Sequence, residues 1–160
     1  MAVVLVIVLV VAATVGAIFY FMVRGTVDTQ EEPRLTVNLA APTTPQMSVR
    51  GGTSVWDTSL FINRISPKDQ KVLWTEVKIL IKGSTGSLLL ISTTPTADTG
   101  VYADPAVIQV WYIETGANTR MDAGDAIKIT GMTTAYEGAT VELTKAGNLI
   151  ASATLPTNFP

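Results

Sequence analysis

Two residue types that carry much of protein chemistry are missing from this sequence. None of its 160 residues is cysteine or histidine, so disulfides, thiolate nucleophiles and thiolate metal sites are all excluded. Histidine is also the commonest general base of enzymes and the commonest protein ligand of transition metals. We therefore expect neither an enzyme nor a cofactor-binding protein, and we assign no catalytic, cofactor-binding or metal-binding residue.

Positive charge is scarce as well. From Asp28 onward the chain carries ten Lys or Arg and thirteen Asp or Glu, and the only charged residue before Asp28 is Arg24. This mild acidity forms no basic stripe along the sequence, whereas proteins that bind nucleic acid need one. We expect no nucleic-acid partner.

A long stretch without any charge opens the chain, because Met1 to Val23 contain no Asp, Glu, Lys or Arg. As a helix rising about 1.5 Å per residue it would span roughly 33 Å, which is enough to cross a membrane. A helix that is apolar on every face must be buried on every face. The pattern predicts a hydrophobic α-helix over residues 1–27 that ends before Pro33.

Three hypotheses explain this segment. A cleavable secretory signal would have a basic start and a shorter apolar stretch. A permanent single-span anchor fits the length, but its flanking positive charge is usually cytoplasmic, and Arg24 lies on the side of the folded domain. In the third hypothesis a short basic leader once preceded Met1 and set the orientation. After its removal the helix would leave the lipid and be buried among the helices of other copies.

The remainder predicts an all-β domain, residues 34–160, joined through a short linker, residues 28–33. Apolar and polar residues alternate from Trp56 to Ile62 and from Leu73 to Ile81, as in half-buried strands. Ala146 and Gly147 separate two further runs in the manner of a β-hairpin turn. About eight short strands without interposed helices predict an immunoglobulin-like sandwich. The predicted fold class is thus a long N-terminal hydrophobic α-helix plus an all-β immunoglobulin-like sandwich head.

The first residues carry a family resemblance. The Val/Leu/Ile/Ala-rich start, with Gly16 and the aromatic patch Phe19, Tyr20 and Phe21, resembles the N-terminal helix of archaeal type IV pilins and, more distantly, of archaellins. Gly124 to Gly131 and Glu137 to Pro156 are similar to the C-terminal strands of the head domains of archaellin-like proteins and archaeal pilins. Bacterial type IV pilins carry glutamate at the fifth mature position and often a disulfide. The Leu5 found here and the lack of cysteine therefore favour the archaeal branch.

The resemblance implies a structural subunit of an archaeal type IV pilus-like extracellular filament, a helical polymer used for surface adhesion of the cell. Its partners would be identical subunits, with a prepilin peptidase, an assembly ATPase and a membrane platform protein during biogenesis, and the membrane itself before assembly. The alternatives are a single-span membrane-anchored immunoglobulin-like binding module outside the cytoplasm and an archaellin of a swimming filament. The side chains expected to drive polymerisation are Val4, Leu5, Ile7, Val8, Val11, Val15, Ile18, Phe19, Phe21 and Met22.

Two side-chain groups in the β domain have alternative interpretations. Asp122, Asp125 and Glu137 offer carboxylate oxygens of the kind that bind Ca²⁺, but their spacing matches no calcium loop, so we expect surface turn residues. The aromatic residues would form either a platform for sugars or part of the core, and large aromatics at strand positions favour the core. They are Trp56, Trp74, Trp111 and Tyr112.

Overall fold

In the computed structural model, which describes residues 34–102 and 107–160, ten strands form two sheets. The strands are β1 (Thr36–Leu39), β2 (Gln46–Arg50), β3 (Thr53–Ser66), β4 (Val77–Lys82), β5 (Leu88–Thr93), β6 (Thr96–Ala97), β7 (Gln109–Ile113), β8 (Ala126–Met132), β9 (Thr140–Lys145) and β10 (Asn148–Thr154). Two single-turn 3-10 helices, Trp74–Glu76 and Thr134–Tyr136, precede β4 and β9.

One sheet has six strands and the other has four. The larger sheet runs in the order β1-β3-β8-β7-β6, with β2 also paired to β3, and the smaller sheet runs β10-β9-β4-β5. All strand pairs are antiparallel except the short pair β6–β7. The chain crosses between the sheets after β3, β5 and β8, so neither sheet is a continuous segment of sequence.

The core lies between the sheets and is built by alternation along the central strands. Each of four strands turns every second side chain inward, and those side chains are at most 1 % exposed. The larger sheet contributes Leu60 and Ile62 from β3 and Ile127 and Ile129 from β8; the smaller contributes Ile79 and Ile81 from β4 and Val141 and Leu143 from β9. Burying one such side chain contributes about 1.5–3 kcal/mol, so these strands hold the two sheets together.

Trp74 departs from the predicted strand. The alternation from Leu73 to Ile81 predicts one continuous strand, but β4 begins only at Val77, after the 3-10 turn. That turn places Trp74 in the core, 1 % exposed, with its ring stacked on Tyr112 at a centroid distance of 4.9 Å. A large apolar residue that interrupts the alternation is therefore buried by a change of backbone conformation.

Both tight hairpins depend on left-handed backbone positions. The hairpin predicted at Ala146-Gly147 is confirmed, with φ values of 49° and 81° between β9 and β10. A second hairpin, which we did not predict, joins β2 to β3 through Gly51 and Gly52, with φ values of 55° and 81°. Two successive residues with positive φ match the right-handed twist of the strands that they connect.

The fold class expected from the sequence is wrong. Residues 34–102 and 107–160 are mostly β-sheet and contain no helix of seven or more residues. No helix within these ranges is long and apolar enough to cross a membrane. The helix prediction rested on residues 1–27, which with the linker 28–33 lie outside the described residues. In the part that is described, apolar residues alternate or come in short runs between turns, a pattern that favours strands. Leu35–Pro160 form a compact unit of their own.

Candidate functional site

The ten side chains assigned to polymerisation all fall outside the described residues, so their prediction has no structural outcome. The candidate sites are therefore those of the β domain. The groups of interest in this domain are its carboxylates, its aromatic residues and its cations.

The three carboxylates considered as a calcium site have separate partners. Asp125 is 2 % exposed and accepts hydrogen bonds from the backbone amides of Thr115 (2.9 Å) and Asp122 (2.8 Å). The Asp122 carboxylate accepts from the Asn118 side-chain amide, and that of Glu137 from the backbone amide of Phe159. No group of three or more His, Asp or Glu side chains suited to a metal occurs in the described part of the chain.

The four aromatic residues do not form one platform. Trp74 and Tyr112 stack in the core. Trp56 lies near the C-terminus, where its indole N–H donates to the carbonyl of Pro160 at 2.8 Å. Trp111 donates from its indole N–H to the Thr130 hydroxyl at 3.0 Å. The core interpretation is confirmed for Trp74, whereas Trp56, Trp111 and Tyr112 are only partly buried.

Trp111 belongs to a polar cluster around Tyr102. The segment Asp98–Tyr102, here called the tyrosine strap, follows β6. The Arg50 guanidinium and the Lys128 ammonium lie over the Tyr102 ring at 4.6 and 4.7 Å from its centroid, and the Trp111 ring meets it edge-on at 5.6 Å. The Tyr102 hydroxyl donates to Asp98 at 3.2 Å. These contacts fasten the strap to the larger sheet.

The ion pair between Lys128 and Asp98, whose charged atoms lie 3.3 Å apart, shifts the pKa of both groups. Burial raises the pKa of Asp98, but hydrogen bonds from the Gly100 amide and from Lys128 outweigh it and the net pKa is lowered. Burial likewise lowers the pKa of Lys128, while contacts with Tyr102 and Asp98 outweigh it and the net pKa is raised. Both groups therefore stay charged over a wider pH range than usual. Because each has its partner within the cluster, we assign the cluster a structural role.

A different arrangement occurs at the proximal end of the domain, which we define as the end where β1 begins and β3 ends. Thr36 pairs with Ser66 there. Two loops cover this end, residues 67–73 and residues 114–125, and the Met121 amide ties them together by donating to the Val72 carbonyl at 2.8 Å. Met121 and Val72 are 2 % and 1 % exposed, so each loop packs one apolar side chain into the core.

Two adjoining cavities of about 310 and 260 Å³ open on this surface. They share Lys68, and between them they are also lined by Arg64, Lys71 and Arg120. We call these four residues the basic cleft; all four are exposed. The side-chain amides of Asn63 and Gln70 also line the cavities. Guanidinium, ammonium and amide donors around a concave surface suit an oxyanion such as phosphate.

The cleft brings together four of the six Lys and Arg residues that form no ion pair within the described part of the chain; the other two are Arg34 and Lys78. The four ion pairs found among the described residues join Arg50 to Asp57, Lys82 to Glu142, Lys128 to Asp98 and Lys145 to Glu76. No cation of the cleft takes part in them. The carboxylates that line the cavities, Asp69 and Asp122, offset part of the positive charge. The cleft is therefore the strongest candidate for a ligand site in this part of the chain.

The cleft was not predicted from the sequence, because the charge averaged over the whole chain is mildly acidic. Lys68 and Lys71 are close in sequence, but Arg64 and Arg120 reach them only through the fold, with Arg120 bridged to Leu73. The local signal was the charged stretch from Arg64 to Lys71. Comparisons offer no guide to its role, because no family model, curated protein or solved structure matches this chain.

Proposed function

We propose that this protein is the structural subunit of an archaeal type IV pilus-like extracellular filament, used for surface adhesion. The apolar segment 1–27 assembles with the same segment of identical subunits, and the β domain forms the outer shell. The membrane holds the chain before assembly, and a prepilin peptidase, an assembly ATPase and a membrane platform protein act during biogenesis.

One observation carries the proposal: an uncharged segment is followed closely in the sequence by a folded domain. The last residue of the uncharged stretch is Val23 and β1 begins at Thr36. A domain displayed for independent binding usually has a longer flexible spacer. A short connection instead suits the subunit of a polymer shell.

The chemistry of the domain is compatible with a structural role. The buried carboxylate Asp125 and the ion-paired carboxylates Asp57, Asp98 and Glu142 bind partners within the domain. These contacts rigidify a domain built on two sheets. A rigid shell is what a filament that bears load outside the cell requires.

The test is to image the surface material of the native cells. Material sheared from cells is examined by electron microscopy, and its main protein is identified by N-terminal sequencing. We expect filaments whose main protein is this chain. Recovery of the protein solely as single chains embedded in the membrane would contradict the proposal and favour an anchored binding module. Loss of swimming, with adhesion intact, in cells without the protein would favour an archaellin.

A matched pair of variants tests the role of the apolar segment. Val8→Asp places a charge where the proposal buries each side chain against other subunits, and an unpaired buried charge is strongly unfavourable. We expect Val8→Asp to abolish filaments. Val49→Asp makes the same change at a position that is 67 % exposed and should leave filaments intact. Normal filaments from Val8→Asp would overturn the assignment.

A further inference from the structure

The basic cleft lies at the end of the domain from which the chain leads back toward the apolar segment. Thr36, the first residue of β1, pairs with Ser66, the last residue of β3, and the loop that carries Lys68 and Lys71 follows Ser66 directly. A fully extended chain covers at most about 3.6 Å per residue, so the residues from Val23 to Thr36 span no more than roughly 47 Å. A surface that holds the apolar segment is within reach of this end of the domain.

The cleft is open to solvent and its cations have no carboxylate partner among the ion pairs of the described residues. Arg64 and Arg120 each present a planar fork that matches two oxygens of a phosphate, and Lys68 and Lys71 add compact point charges. Asp69 and Asp122 also line the cavities, so four cations and two carboxylates leave the cleft with a net charge of about +2. Positive charges clustered on a concave surface attract counter-ions more strongly than the same charges spread apart. The arrangement favours a densely anionic surface over a single carboxylate.

We propose that the basic cleft docks on the anionic phosphate headgroups of the membrane that holds the chain before assembly. This inference rests on the proposed function, because that function supplies the membrane stage. Docking would hold the proximal end of the domain against the lipid surface and orient the other end outward. Each Lys or Arg near an anionic surface strengthens such binding by about fivefold, and the attraction fades within about 8 Å at physiological salt.

The experiment measures which lysines the lipid protects. The full chain is reconstituted into phosphatidylcholine vesicles with or without phosphatidylglycerol, and a membrane-impermeant amine reagent labels the exposed lysines for mass spectrometry. Lys82 is the internal control, because it lies at the far end of β4 and its side chain is 37 % exposed. We expect labelling of Lys68 and Lys71 to slow by on the order of tenfold in the anionic vesicles alone. High salt should reverse the protection, and Lys82 should not change.

Two variants identify the source of any protection. The double variant Arg64→Gln/Arg120→Gln removes both guanidinium groups of the cleft, which lie at exposed positions, and keeps Lys68 and Lys71. We expect it to reduce the protection of these two lysines by at least about fivefold. Lys82→Gln removes a charge outside the cleft and should leave the protection unchanged. A thermal unfolding curve for each variant in neutral vesicles checks that the fold is retained.

Several outcomes would overturn the docking proposal. Equal protection in neutral and anionic vesicles would mean that protein covers the lysines, and protection by inorganic phosphate in neutral vesicles would identify a site for small anions. Unprotected lysines on a chain that floats with neutral vesicles would overturn docking and leave the filament proposal standing. The remaining outcome is a chain that floats with anionic vesicles alone and loses this binding in the Arg64→Gln/Arg120→Gln variant. That result would support docking and contradict insertion of the apolar segment.

Discussion

Ala146 adopts a backbone conformation that few L-residues tolerate. Its φ is 49° in the turn between β9 and β10, and the following residue, Gly147, has a φ of 81°. In this region the Cβ of an L-residue approaches the carbonyl oxygen of the same chain, at a cost of roughly 1–2 kcal/mol. Asparagine tolerates the left-handed region better than alanine, and Asn-Gly is a preferred pair in such turns.

Replacing Ala146 by asparagine should therefore stabilise the domain. We expect Ala146→Asn to raise the free energy of unfolding by about 0.5–1 kcal/mol, as measured by urea denaturation with tryptophan fluorescence. The opposite change at the neighbouring position, Gly147→Ala, should lower it by a comparable amount. An unchanged or lower stability for Ala146→Asn would mean that the turn carries no strain at that position.

Asp125 is the residue whose chemistry the sequence misrepresented. Its carboxylate satisfies two backbone amides and also accepts from the Thr115 hydroxyl at 2.9 Å. The sequence predicted a surface turn residue at this position, but Asp125 is 2 % exposed and its carboxylate stabilises a loop from within. The competing demand is that buried backbone N–H groups need acceptors wherever the chain leaves a regular strand.

We expect Asp125→Ala to lower the free energy of unfolding by about 2–4 kcal/mol, because two backbone amides at a buried site lose their acceptor. Asp122→Ala is the matched control. Its carboxylate lies on the surface and accepts one hydrogen bond, from Asn118, so its removal should cost less than about 1 kcal/mol. Equal effects of the two variants in denaturant unfolding would show that the Asp125 contacts contribute little.

At the scale of structural elements, the tyrosine strap gives the domain a predictable dependence on pH. The pKa of Asp98 is lowered below its ordinary value of 3.8, so the strap contributes stability above that pH and loses it as the pH falls through the folded-state value. The pKa of Lys128 is raised above 10.5, so the stability it contributes is complete below that pH and is lost as the pH rises through the folded-state value. Between these limits the contribution of the pair is constant.

Asp98→Asn tests the acid side of this dependence. The variant keeps the size of the side chain but removes the charge, so its unfolding temperature should fall less steeply below pH 4 than that of the native chain. The alkaline side should also flatten, because the raised pKa of Lys128 depends partly on Asp98. Parallel profiles for the two proteins would exclude the strap as the source of the pH dependence. Circular dichroism at a series of pH values provides the measurement.

The elements differ in how far the sequence predicted them. The β9–β10 hairpin was predicted because two alternating runs flank a short turn, and both signals are local. The start of β4 was placed too early because packing of Trp74 against Tyr112 overrides the local alternation. β2 was missed although Gly51-Gly52 is a turn signal, because its residues gain strand conformation from pairing with β3.

At the scale of the whole molecule, the sequence predicted the strand-rich character of the domain better than it predicted which distant residues come together in the fold. The strand-rich character follows from period-two alternation, but the predicted fold class was wrong because it combined that character with a long helix over residues that the structure does not describe. The basic cleft was missed because it joins residues far apart in sequence, Arg64 and Arg120. Nothing local in the sequence records such a pairing.

The distribution of the core leads to a prediction about the whole chain. Every core residue in the described part lies at Val37 or beyond, within the compact unit Leu35–Pro160. A chain that starts at Leu35 keeps all of these side chains and all of the strand pairs. We expect it to fold alone and to unfold in urea in one cooperative transition, with the stability of about 5–15 kcal/mol that is usual for a single domain.

The control for this truncation removes β1 as well. A chain that starts at Ala41 loses the pairing of β1 with β3 and the buried side chain of Val37, which is 6 % exposed. Loss of one buried Val and of a strand edge should lower the free energy of unfolding by several kcal/mol. A broad, uncooperative transition for the chain that starts at Leu35 would mean that residues 1–34 are needed for folding. Residues 1–34 would then stabilise the domain itself, and a role confined to joining subunits would be ruled out for them.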